Sequence, residues 1–86
     1  MTTQKHLLPS PISVAEKLRA GLSISIREWC LAEGVSRETY YQLSRRGETP
    51  KVYHVGNQVR IAADDYAEWQ AGRIAAAAAE RETIAA

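Results

Sequence analysis

Apolar residues recur along this chain at two different periods. Between residues 12 and 46 the spacing is helical, between 51 and 61 it is close to alternating, and from residue 64 it is helical again. Val14, Leu18 and Leu22 recur every four residues, which predicts a first helix over 12–22 with one apolar edge. Ser13 stands at its N-cap position, with Glu16 at the spacing of a capping box. This helix is either a packing element over a small core or a contact surface for a neighbouring molecule. Gly21, Ser23 and Ser25 separate it from a second helix over 26–33, which Ser25 caps with Glu28 three residues on. Ile26, Trp29 and Cys30 share one face of that second helix. Gly34 stops it, because glycine enters the left-handed region without a Cβ clash. Ser36 caps a third helix over 37–46, ended by Gly47, with Val35, Tyr40 and Leu43 inward.

After Gly47 the period changes. Val52, His54 or Val55, Val59 and Ile61 lie in two β-prone runs around Gly56-Asn57, a pair in which both residues accept positive φ. The expectation is a two-stranded hairpin over 51–55 and 58–61, which must pack on helices to be stable. Asp64 is the expected cap of a last helix, with Asp65 in its first turn, where negative charge suits the helix dipole. Tyr66, Trp69 and the stem of Arg73 fall on one face, and Trp69 is expected to close the hairpin over the helices. The alanine-rich run 74–79 favours helix but offers little bulk to bury, so the helix either continues toward Arg81 or frays. Met1 to Pro11, with prolines on both sides of Ser10, reads as a mobile arm carrying a solvated His6. The organisation expected is thus an arm and short helix over 1–22, a central domain over 23–73 and an alanine-rich tail over 74–86. Its class is mainly α with a small β-hairpin.

Eighty-six residues allow one small domain with a limited core, anchored on Trp29 and Trp69 in the absence of phenylalanine. A single cysteine excludes an intramolecular disulfide framework, and Cys30 falls on a buried face. No secretory pattern is visible, and no run approaches the ~18 apolar residues that span a bilayer. The expected setting is cytoplasmic and nucleoid-associated, without a membrane. The net charge of +1 is unevenly spread: residues 1–61 carry nine Lys/Arg and five Asp/Glu, residues 62–86 two Arg and five Asp/Glu. A basic body with an acidic tail suits nucleic acid at one end and attraction between copies, head to tail. Enzymatic constellations are absent: no nucleophile has a plausible base, no glycine-rich loop suits a phosphate, and no Cys/His cluster has metal spacing. No catalytic residue, metal site or cofactor is expected.

Two short helices joined by a glycine turn, the second with a polar and basic outer face, have the sequence form of a DNA-reading helix-turn-helix. The outer face holds Ser36, Arg37, Glu38, Tyr41, Gln42, Arg45 and Arg46. Arginine can bond a guanine edge through two donors and glutamine an adenine edge, which makes Arg37, Gln42 and Arg45 base-reading candidates beside Tyr41. The plain alternative is a solvated helix face. A hairpin after such a pair of helices is a wing. On it, Lys51 and Arg60, with Arg46 at the end of the preceding helix, are candidate phosphate contacts. His54 is a structural or phosphate-contact residue, and Gly56, Asn57 and Gln58 form a tip suited to a minor groove.

These residues resemble the small winged helix-turn-helix proteins of the excisionase and AlpA type, relatives of the MerR DNA-binding domain. The resemblance rests on Glu28, the run Gly34-Val35-Ser36-Arg37-Glu38-Thr39-Tyr40-Tyr41-Gln42-Leu43, then Gly47, Pro50, Arg60-Ile61, Asp65 and Trp69. It covers about residues 23–70. Tyr40 stands where the family has a small aliphatic residue, Asp64 where it has serine, and Ala62-Ala63 where it has proline and a polar residue. The resemblance implies double-stranded DNA as ligand and no catalysis. Many members are recombination directionality factors, which bind repeated sites beside an attachment site, bend the DNA and help a tyrosine integrase excise a mobile element. Others are transcription regulators. Family excisionases often assemble head to tail on DNA.

Overall fold

A computed structural model describes residues 11–85. The arm expected over 1–11 lies outside them, except for Pro11, which opens the first helix. The elements are α1 (Pro11–Arg19), β1 (Ile24–Ser25), α2 (Ile26–Glu33), α3 (Arg37–Arg45), β2 (Tyr53–Val55), β3 (Gln58–Ile61) and α4 (Ala63–Ala85). The protein is a small, mainly helical domain with a three-stranded antiparallel sheet.

Four local expectations need correction. Ser13 does not cap α1 but lies inside it, because the helix begins at Pro11; proline suits a first turn, where its missing N–H would go unbonded anyway. α1 also ends before Leu22. Gly21 takes a φ of 79°, and the Leu22 N–H folds back onto the Lys17 carbonyl at 2.9 Å. Leu22 is therefore exposed, while Val14 is fully buried and Leu18 packs on the core. Asp64 is likewise inside α4, which starts one residue earlier, so both aspartates lie in the first turn and act on the helix dipole. The first hairpin strand is only Tyr53–Val55, leaving Lys51 and Val52 before it.

The largest departure is β1. Ile24 pairs with Ile61 and Ser25 with Arg60, so the order is β1-β3-β2 and β3 is central. The expected two-stranded hairpin thus borrows a third strand from the segment leading into α2. The reason is apolar: Ile24 and Ile61, opposite each other, are both completely buried. At the other end Val55 pairs with Gln58 around Gly56-Asn57. Only Gly56 has positive φ, at 59°. That is the sign pattern of a II′ turn, not the I′ turn that two positive values would give.

The start of α2 follows the sequence. Ser25 Oγ accepts the Glu28 N–H at 3.0 Å, and Glu28 Oε1 accepts the Ser25 N–H at 2.9 Å, a complete capping box. Gly34, at φ 73°, ends the helix. Ser36 then caps α3 through the Thr39 N–H at 3.1 Å. Core residues come from most elements: Val14, Ile24, Ile26, Trp29, Cys30, Tyr40, Ile61 and Tyr66, with Val35, Leu43, Val59 and Trp69 packed against them. Trp29 is 1 % exposed and is the deeper anchor, whereas Trp69 is half-buried. A chain of ring contacts crosses this core. Tyr66 meets Trp69 at 6.0 Å, Trp69 meets Trp29 at 5.3 Å, Trp29 meets Tyr40 at 5.4 Å and Tyr40 meets Tyr41 at 5.2 Å.

Polar ties fix α4 to the rest. The Tyr66 hydroxyl donates to Glu33, and Trp69 Nε1 donates to the Glu48 carbonyl at 2.9 Å. The Arg73 guanidinium lies 5.8 Å from the Trp69 ring, which agrees with the expected shared face of Tyr66, Trp69 and Arg73. Beyond residue 73 the helix neither frays nor turns back within the described residues. It continues to Ala85 with Ile74 62 % exposed. No described helix is long and apolar enough to cross a membrane.

Candidate nucleic-acid interface

α3 separates its residues cleanly by face. Tyr40 is buried at 5 % exposure and Leu43 half-buried, while Arg37, Glu38, Tyr41, Gln42, Arg45 and Ser36 before them are exposed. The apolar spacing holds the inner face against Trp29 and Val35, so the polar residues have only one direction left. Tyr41 is 46 % exposed and rests edge-on against Tyr40. Its hydroxyl bonds the Arg37 side chain and raises the guanidinium pKa above its ordinary value.

Beside this face lies a cleft of about 280 Å³, lined by Arg27 of α2, Arg37 and Tyr41 of α3, and Asn57, Gln58 and Arg60 of the hairpin, together with Ser25, Ile26 and Val59. Five predicted site residues from α3 and the hairpin therefore meet in one place. The cleft holds three arginines and no carboxylate. Arg60 is partly buried and held: its Nε donates to Ser23 Oγ at 3.1 Å and its Nη2 to the Ser23 carbonyl at 3.0 Å. Arg27 was not anticipated. An arginine in the first turn of a helix looks like ordinary surface charge until the hairpin is folded against it.

The other candidates are placed elsewhere. Arg45 is exposed at the end of α3. Arg46 pairs with Glu48 at 3.6 Å, with 63 % of its side chain exposed, so its charge is partly offset nearby. Lys51 lines a different cleft with Asp65, Glu68 and Trp69, where two carboxylates oppose it. His54 is exposed on β2, the open edge of the sheet, between Tyr53 and Val55. Gly56, Asn57 and Gln58 form the exposed tip. Cys30 is 5 % exposed, and its thiol donates to the Ser36 carbonyl at 3.8 Å. Burial raises its pKa against the opposing charge of Arg37, which keeps it a thiol. Among the described residues no group of three or more His, Cys, Asp or Glu is placed to hold a metal ion.

This arrangement can present a rigid polar helix and a hairpin tip on one side, with unopposed positive charge between them. No family model, curated protein or solved structure matches the chain.

Proposed function

We propose that the chain is a sequence-specific DNA-binding protein of winged helix-turn-helix type. In this reading α2 and α3 form the helix-turn-helix, α3 enters the major groove, and the β2–β3 hairpin is a wing following the adjacent backbone. One observation carries it: the exposed polar face of α3 and the hairpin tip flank a common cleft that contains three arginines and no acid. Arg37, Gln42 and Arg45 are the base-reading residues, while Arg60 positions the protein on the phosphates. The chemistry needs no cofactor and no catalytic group.

The biological role rests on the resemblance to excisionases. As a recombination directionality factor the protein binds repeated sites near an attachment site, bends the DNA and promotes excision by a tyrosine integrase, acting at the nucleoid. Copies associate head to tail along the duplex, favoured by the basic body and the acidic residues of α4 and the tail. Titration of an attachment-site fragment and of random DNA across a salt series tests the reading. Arg37→Ala is expected to cost ~1–3 kcal/mol on the cognate site and little on random DNA. Equal loss on both moves Arg37 to the phosphates, and no preference of the parent for any site removes sequence reading altogether.

A further inference from the structure

The arginines of the cleft come from three different elements, and none is in an ion pair among the described residues. Gathering like charges in one concavity is unfavourable, and an anion would relieve it. The groups are also prepared for one. Arg60 spends Nε and Nη2 on Ser23, which fixes the guanidinium and leaves the Nη1 donors for a ligand. Ile26 and Arg27 are the first residues of α2, where backbone N–H groups have no intrahelical acceptor. Tyr41 supplies a hydroxyl, Asn57 and Gln58 side-chain amides.

We propose that the cleft clamps one backbone phosphodiester of the bound DNA, with Arg27 and Arg60 converging on its non-bridging oxygens, the Tyr41 hydroxyl beside them and Ser23 as a positioning residue for Arg60, while Arg37 at the same cleft reaches a base edge. The inference rests on the DNA-binding reading and extends it to a second role for α2. A phosphate held where α2, α3 and the hairpin meet fixes all three against the duplex at once. It sets the register in which α3 meets the base edges. The planar guanidinium fork makes charge-assisted, bidentate bonds to a phosphate.

Two probes test the clamp on the full chain. In the first, inorganic phosphate is titrated while amide and arginine side-chain resonances are followed. Saturable shifts are expected at Ile26, Arg27 and Arg60 and not at Arg45 or Arg46; equal shifts at all arginines overturn the clamp. In the second, a set of bound duplexes each carries one methylphosphonate in place of a phosphate. One position is expected to weaken the parent about tenfold and to weaken Arg27→Ala and Ser23→Ala measurably less, since the first has lost one of the arginines on that phosphate and the second the fixation of the other. The salt slope of Arg27→Ala should fall by about one. Arg27 is exposed and alanine favours helix, so folding should be retained; a parental melting curve verifies it, and Arg27→Lys should recover only part of the affinity. If Arg27→Ala responds to every methylphosphonate as the parent does, the clamp is overturned while DNA binding stands. If phosphate shifts the cleft but no duplex is bound, the phosphodiester is overturned along with the DNA reading.

Discussion

The Glu28 carboxylate serves two partners: Oε1 takes the Ser25 N–H, and Oε2 takes Lys17 Nζ at 2.5 Å, joining α1 to the start of α2. Burial works to raise its pKa, but the Lys17 hydrogen bond, the Ser25 N–H and the Lys17 charge outweigh burial and leave it below the ordinary carboxylate value. Its folded pKa is thus lower than its unfolded one. The ionised group stabilises the fold above the unfolded value, and that contribution is lost as pH falls through the folded value. Melting temperature should therefore drop between about pH 5 and 3, and drop less steeply in Glu28→Gln, which should also lose roughly 1 kcal/mol at neutral pH. Parallel slopes for the two proteins would show that Glu28 does not govern the acid limb. The capping half of this arrangement was legible in the sequence because it spans three residues. The Lys17 half was not, because it depends on how α1 lies across α2. Arg60 teaches the same: its charge was visible, its fixation by Ser23 was not.

At the scale of elements, α2, α3 and their caps follow from local chemistry, and the turn between them depends on one backbone conformation. Gly34 is left-handed, and a Cβ there would meet nothing within 4 Å. Gly34→Ala should therefore cost only the backbone strain, roughly 1–2 kcal/mol, with Gly34→Asn cheaper. Urea denaturation measures both; a cost well above that range would mean the turn also repacks. β1 was not legible. A two-residue strand has no period to detect, and by its spacing to Glu28 Ser25 reads as a helix cap. It is both: its backbone pairs with Arg60 while its side chain caps α2. The pairing is decided by the burial of Ile24 on Ile61, a non-local gain that no window of sequence contains. The same non-locality hid Arg27 from the candidate interface, since only the folded hairpin brings Arg60, Asn57 and Gln58 beside it.

At the scale of the whole molecule, the described residues form an elongated body, 59 × 24 × 22 Å, with a radius of gyration of 15.1 Å against about 11 Å for a compact chain of that length. The excess is α4, whose last part, from residue 74, extends about 18 Å at 1.5 Å per residue. Every core residue precedes it. Deleting residues 74–86 should thus change stability by less than about 0.5 kcal/mol and leave single-site binding intact, while reducing cooperativity on an array of sites. Unchanged array filling would take the tail out of self-association. The matching deletion at the other end must stop before α1, because Val14 is part of the core. The ring contacts described above cross the core from Tyr66 of α4 through both tryptophans to Tyr41 on the candidate interface. The protein therefore carries its own optical reporter. All its tryptophan emission arises from one spot, two ring contacts from an exposed tyrosine, and excitation passes readily from tyrosine to tryptophan at such separations. A ligand stacking on Tyr41 would dim that emission without moving its colour, whereas opening of the core would shift it to the red, so occupancy and unfolding can be told apart in one cuvette without any added dye.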